Sequence, residues 1–83
     1  MPEKRSEVLA GVKQVIAKFC SVRPEEINET DDLLADLSMD SLDIVEAVME
    51  AEEQFNISVP DPQKQPMRTV GEVTDSILRL LPP

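Results

Sequence analysis

Apolar residues recur at helical spacing in three separate segments of this chain, and that periodicity constrains its fold more than any other feature. In the first segment, Val8, Val12, Val15, Ile16 and Phe19 fall at i, i+4, i+7, i+8 and i+11, one stripe of an α-helix. The spacing predicts a helix from Pro2 or Glu3 to Phe19, with proline placed in the opening turn, where its missing N–H costs nothing. Gly11 weakens that helix slightly. A second helix is predicted from Ser41 to about Phe55, with Ile44, Val45, Val48, Ala51 and Phe55 on its core side. The third opens on Thr69-Val70-Gly71-Glu72, a capping box in which Thr69 and Glu72 satisfy each other's free backbone N–H. Val70, Val73, Ile77, Leu80 and Leu81 supply its buried face, and Pro82-Pro83 ends it.

The connections differ in kind. Ser21 to Met39 reads as a long loop, broken by Pro24 and rich in the turn formers Asn28, Thr30, Asp31 and Asp32. Ile27, Leu33, Leu34 and Leu37 are expected to tie it onto the helices. A loop of this length in a compact domain is often functional. Pro60, Pro62 and Pro66 interrupt regular structure before the last helix, leaving room for one short helical turn. The expectation is a single domain over residues 1–83: an all-α bundle of three main helices, with a long first loop and an irregular or very short third helix before the last.

Size and composition exclude several functions. A chain of 83 residues buries only about 60% of its unfolded surface, leaving little room for a deep catalytic cavity. Histidine, tryptophan and tyrosine are absent, so the usual general base and the commonest zinc ligand are missing. Cys20 is the only cysteine, which excludes an intramolecular disulfide, and it reads as a small apolar residue near a helix end. No apolar run approaches the roughly 20 residues that span a bilayer, and no signal peptide opens the sequence. A cytoplasmic monomer is expected.

The net charge is −9, and its placement is informative. From Pro24 to Gln63 there is no Lys or Arg, while acidic residues run from Glu25 to Asp61. Such a surface repels nucleic acid and anionic lipid and steers basic protein partners toward itself.

The second helix carries part of that acidity on a face of its own. Leu42 and Met49 lie seven residues apart and share a side with Glu46, Glu50 and Glu53, away from the core stripe. A packing helix gains nothing from Leu and Met among carboxylates. A recognition helix does, because an apolar pair anchors the contact while the carboxylates orient a basic partner. Read blandly, these are peripheral packing residues on a solvated face.

Ser41 stands where loop becomes helix. A serine there is a good N-cap, and the same position offers a phosphate the free N–H groups and positive end of the helix dipole. The run Asp36-Leu37-Ser38-Met39-Asp40-Ser41-Leu42-Asp43, followed by Val45-Glu46 and Glu52-Glu53-Gln54-Phe55, resembles the attachment motif of acyl carrier proteins. Val22 to Ile27, Leu33 to Leu37, Val59-Pro60-Asp61 and Thr69-Val70 also resemble that family's pattern, so the likeness covers nearly the whole chain.

The resemblance implies 4'-phosphopantetheine joined covalently to Ser41 by a separate transferase, with acyl groups held on its thiol for fatty-acid, polyketide or related enzymes. It implies no catalytic residue and no metal in this chain. It assigns Asp40, Leu42, Asp43, Glu46, Met49, Glu52 and Glu53 to contacts with a phosphopantetheinyl transferase and acyl-handling enzymes that present basic patches. It further implies that the core between the second and last helices, including Val45, Val59 and Ile77, opens to shelter an acyl chain. Two departures stand out. Ser38 replaces the family's usual glycine, and Pro62, Lys64, Gln65 and Pro66 replace an acidic short helix, which points to a specialised carrier.

Two rival readings remain. An aminoacyl or peptidyl carrier uses the same type of serine. An acidic helical interaction module would use Ser41 only as a cap. A calcium loop starting at Asp36 fails, with Ser41 where glycine is needed and Ala47 where the bidentate glutamate belongs.

Overall fold

The computed structural model describes residues 2–59 and 67–81. Among them are three α-helices, α1 (Pro2–Ala17), α2 (Ser41–Phe55) and α3 (Val70–Leu80), with a 3₁₀ turn at Pro24–Glu26 inside the long loop. The expected irregular or short helix around Pro60 to Pro66 lies outside the described residues.

Helix α1 ends two residues before the predicted Phe19. The Lys18 and Phe19 N–H groups donate to Val15 and Ile16 carbonyls, three residues back, so the last turn tightens instead of continuing. The valine stripe behaves as its spacing requires: Val8, Val12, Val15 and Ile16 are buried, and α1 packs against both α2 and α3. Helix α2 contributes Ile44, Ala47, Val48 and Ala51, and α3 contributes Val70, Val73 and Ile77. The predicted core side of α2 is thus rotated slightly, with Ala47 buried and Val45 and Phe55 only half-buried. Leu80, placed on the buried face of α3 by its spacing, is instead exposed at the end of that helix.

The long loop is anchored by Ile27, Leu33, Leu37 and Met39, all buried. Burying a side chain of this size contributes about 1.5–3 kcal/mol. Leu34, predicted to join them, is instead 55% exposed. The Asp36 N–H donates to the Asp32 carbonyl, a helical-type turn that brings Leu33 and Leu37 to the same side and points Leu34 outward.

The same loop is tied to the entrance of α3. Leu33 N–H donates to the Arg68 carbonyl (2.7 Å), Val70 N–H to Asp31 (3.2 Å) and Gly71 N–H to Glu29 (2.8 Å). A Cβ at Gly71 would lie 3.2 Å from the Glu29 carbonyl oxygen, so glycine is what permits this approach. Arg5 on α1 reinforces it, pairing with Glu29 in the loop and with Asp75 on α3 (2.8 Å). The Thr69–Glu72 capping box forms as predicted, with Glu72 N–H donating to Thr69 Oγ1 at 3.1 Å.

Candidate functional site

The residues singled out by the sequence meet where the anchored loop delivers the chain into α2. Leu37 and Met39 are buried while Ser38 between them is exposed, and Ser38 takes φ 59°, the left-handed region. The glycine-type turn is therefore retained with a serine in it, a conformation that costs a non-glycine residue about 1–2 kcal/mol. Beyond it, Met39 N–H donates to the Leu33 carbonyl at 2.9 Å, closing the loop onto its own anchor.

Asp40, not Ser41, is the N-cap of α2. Asp40 is extended (φ −90°, ψ 179°), and its Oδ1 accepts from Asp43 N–H at 2.8 Å while Asp43 Oδ2 accepts from Asp40 N–H at 3.3 Å. This is a capping box built from two aspartates. The sequence carried the signal in the Asp40-x-x-Asp43 spacing, but serine's strength as a cap obscured it. With Asp40 as the cap, Ser41 is not needed for capping. It becomes the first helical residue, exposed, with no hydrogen bond to its hydroxyl among the described residues.

That position suits a phosphodiester. Ile44 is the first residue of α2 whose N–H reaches a helical carbonyl, that of Asp40 at 3.0 Å. Asp43 N–H is taken by the cap, which leaves the Ser41 and Leu42 N–H groups without an acceptor within the helix. Ser41 thus stands at the positive end of a 15-residue helix and is one of the two residues whose N–H groups have no acceptor within it. The neighbouring carboxylates of Asp40 and Asp43 are turned onto backbone donors, which moderates their repulsion of an anion. The residues present fit the group.

The acidic, partly apolar face of α2 is also present. Leu42 is 64% and Met49 49% exposed, and Asp40, Glu46 and Glu53 are exposed with them. Asp43 is half-buried in the cap. Glu52 is engaged within the protein, its Oε2 accepting from Val59 N–H at 2.5 Å, and Glu50 pairs with Lys18, just past the end of α1, at 3.2 Å. Cys20 is half-buried, and its thiol donates to the Ile16 carbonyl at 3.1 Å. Burial, and then the negative charge of Asp43, pushes that thiol up, so it is a poor nucleophile.

Beneath the site, a void of about 10 Å³ lies among residues including Val12, Leu33, Met39, Ile44, Val48 and Val73. That is about the space of one water. Val45, Val59 and Ile77, the residues expected to shelter an acyl chain, do not line it. Among the described residues no His, Cys, Asp or Glu cluster is arranged to hold a metal ion, and no helix is long and apolar enough to cross a membrane.

Residues 10–77 match the family model described as the phosphopantetheine attachment site. The chain is 45% identical over 66 residues to the acyl carrier protein of Wolinella succinogenes, covering 80% of this chain and 87% of that one. It is 40% identical over 73 residues to the acyl carrier protein of Thermosynechococcus vestitus, covering 88% and 90%. It is 32% identical over 80 residues to the meromycolate extension acyl carrier protein of Mycobacterium tuberculosis, covering 96% and 70%. On the family match and these relatives together, the chain belongs to the phosphopantetheine-attachment family and is similar over most of its length to acyl carrier proteins.

Proposed function

We propose that Ser41 is the residue that carries the phosphopantetheine arm, and that the exposed Leu42–Met49 face of α2 receives the enzymes that load and use it. The function is acyl carriage on a covalently attached phosphopantetheine, whose terminal thiol, when the group is bound, holds acyl groups as thioesters. The observation that carries the assignment to Ser41 is its release from capping. Asp40 takes the cap, and Ser41 is left exposed at a helix start, one of the two residues whose N–H groups have no acceptor within the helix.

This chain's own residues supply an address and no chemistry. Ser41 offers a hydroxyl, and the transferase brings base and metal. Leu42 and Met49 form the apolar anchor, while Asp40, Asp43, Glu46 and Glu53 steer basic partners. Glu52 acts through the chain segment it holds at Val59. The core void holds no acyl chain as it stands, so sheltering one requires α2 to move away from its neighbours. Residues 1–83 act as one carrier domain, a cytoplasmic monomer that catalyses nothing itself.

Intact mass after incubation with coenzyme A and a promiscuous phosphopantetheinyl transferase tests the assignment. Wild type gains one phosphopantetheine, and Ser41→Ala gains none. A folded wild type that stays unmodified with several transferases, or a modified Ser41→Ala, overturns it.

A further inference from the structure

Asp32 lies nine residues before Ser41 and has no hydrogen bond or ion pair to it or to the Leu42–Met49 face, yet it makes more polar contacts than any other residue of the loop. Its Oδ1 accepts from the Leu34 and Ala35 N–H groups, both at 2.9 Å. Its N–H donates to Asp36 Oδ2 at 2.7 Å, and its carbonyl accepts from Asp36 N–H at 2.9 Å and Leu37 N–H at 3.1 Å. Its Oδ2 stands 3.6 Å from the Arg68 guanidinium, and its backbone bridges Thr69 at the entrance of α3.

These contacts converge on one mechanical result. The turn from Asp32 to Met39 has buried anchors at Leu33, Leu37 and Met39, but its outer side is exposed at Leu34, Ala35, Asp36 and Ser38. Apolar burial fixes how deep such a turn sits and leaves its outer backbone to be ordered by something polar. Asp32 does so from one end, while Leu33 joins Arg68 on one side and Met39 on the other. Met39 leads directly into the Asp40 cap and Ser41.

We propose that Asp32 is a positioning residue for the attachment site: it orders the outer side of the 32–39 turn against the entrance of α3 and so fixes how Ser41 is presented to the transferase. The proposal rests on Ser41 being the modified residue. It separates presentation from docking, because the Leu42–Met49 face is built on α2 and does not depend on the turn. Loss of Asp32 therefore lowers the turnover of the transferase and leaves its affinity for the carrier nearly unchanged. Misplacing a reacting group by about 1 Å can cost as much as 100-fold in rate, and a turn still held by its buried Leu33, Leu37 and Met39 anchors loses less, about tenfold.

The test is the initial rate of phosphopantetheine transfer from coenzyme A at varied carrier concentration, for wild type, Asp32→Ala, Asp32→Asn, Val8→Ala and Ser41→Ala. Asp32→Ala is expected to lower kcat about tenfold with KM within about twofold of wild type. Asp32→Asn retains an acceptor oxygen for the Leu34 and Ala35 N–H groups and is expected to restore kcat to within about twofold. Val8→Ala removes core volume at a distance and controls for stability: at matched loss of Tm it keeps kcat. Wild-type kcat in a folded Asp32→Ala overturns the proposal, as does Asp32→Asn falling as far as Asp32→Ala or Val8→Ala losing kcat equally. If Asp32→Ala does not fold, Asp36→Ala removes the partner of the Asp32 N–H from the exposed side of the turn. It should then show the same fall in kcat at constant KM, and wild-type kinetics there overturn the proposal. Modification of Ser41→Ala instead overturns the attachment reading, so the two failures are told apart.

Discussion

The ring of Phe55 closes over Gly11, so that a Cβ added at Gly11 would lie 2.6 Å from Phe55 Cζ and 2.9 Å from Gln54 Nε2. This contact ties the middle of α1 to the last turn of α2, and it explains a glycine that helix propensity alone disfavours. Replacing Gly11 with alanine gains about 1 kcal/mol of propensity. Displacing a packed ring costs typically 1–3 kcal/mol. Gly11→Ala is therefore expected to lower stability by about 1 kcal/mol in urea unfolding. In a Phe55→Leu background, where the ring is absent, the same change should become neutral or stabilising. A stabilised Gly11→Ala in the wild-type background would mean that the ring moves aside freely.

Ser38 holds φ 59° in the turn that leads to Ser41. A glycine there removes the strain of about 1–2 kcal/mol but adds unfolded-state entropy of about 0.5–1 kcal/mol. Ser38→Gly should accordingly gain about 0.5–1 kcal/mol, raising Tm by a few degrees, roughly 2–8 °C for a domain of this size. Ser38→Val should lose stability, because a β-branched residue fits that region worse. An unchanged or lower Tm for Ser38→Gly would show that the serine side chain contributes to the turn.

Capping separates two adjacent residues by function. Asp40→Ala removes the oxygen that accepts from Asp43 N–H and should cost about 1 kcal/mol. Ser41→Ala removes a hydroxyl with no partner among the described residues and should change stability by less than about 0.5 kcal/mol. Thermal unfolding of the two variants decides it: a Ser41→Ala loss equal to that of Asp40→Ala would return the cap to Ser41.

Leu42 and Met49 leave most or half of their surface in solvent. Truncating either to alanine should leave Tm within a few degrees of wild type and raise the transferase KM for the carrier about three- to tenfold, the effect of losing about 1 kcal/mol of contact. Added salt should raise KM further in all variants by screening the carboxylates around them. An unchanged KM in both variants would leave the pair as ordinary exposed apolar residues.

Much of this architecture was legible in the sequence, for reasons particular to each element. The valine stripe of α1 and the Thr69–Glu72 box state their helices directly, since periodicity and capping are local. The start of α2 at Ser41 was legible in the change from turn formers to helical apolar spacing. The cap itself was misassigned because Asp and Ser both cap well, and only backbone angles reveal which residue is the first to turn helical. Leu34 was misplaced because its chemistry matches that of Leu33 and Leu37; the four-residue turn between Asp32 and Asp36 decides which of the three faces inward. The ties between residues 29–33 and 68–71 were invisible because backbone groups make them, and every residue has those. Gly11 and Gly71 marked close approaches that composition cannot distinguish from weak points.

The Asp32 carboxylate links this hidden connection to pH. Donation from Ala35 N–H holds its pKa below the ordinary aspartate range, and Leu34 N–H and the Arg68 charge act in the same direction, against partial burial. A folded pKa below the unfolded one means that folding favours the ionised form. Its contribution is then fully present above the ordinary range near 4 and is lost as pH falls through the lowered folded value. Asp36, through the Asp32 N–H, and Arg68 face the group and must be followed with it. Carboxyl-carbon NMR titration should give Asp32 a midpoint below those of unpaired aspartates, with the Leu34 and Ala35 amide signals moving at that same midpoint. In Asp32→Asn the amide shifts should disappear, and the stability difference from wild type should be constant above about pH 5 and shrink below it. An ordinary midpoint for Asp32, or amides that titrate elsewhere, would mean that the turn is ordered by its apolar anchors alone.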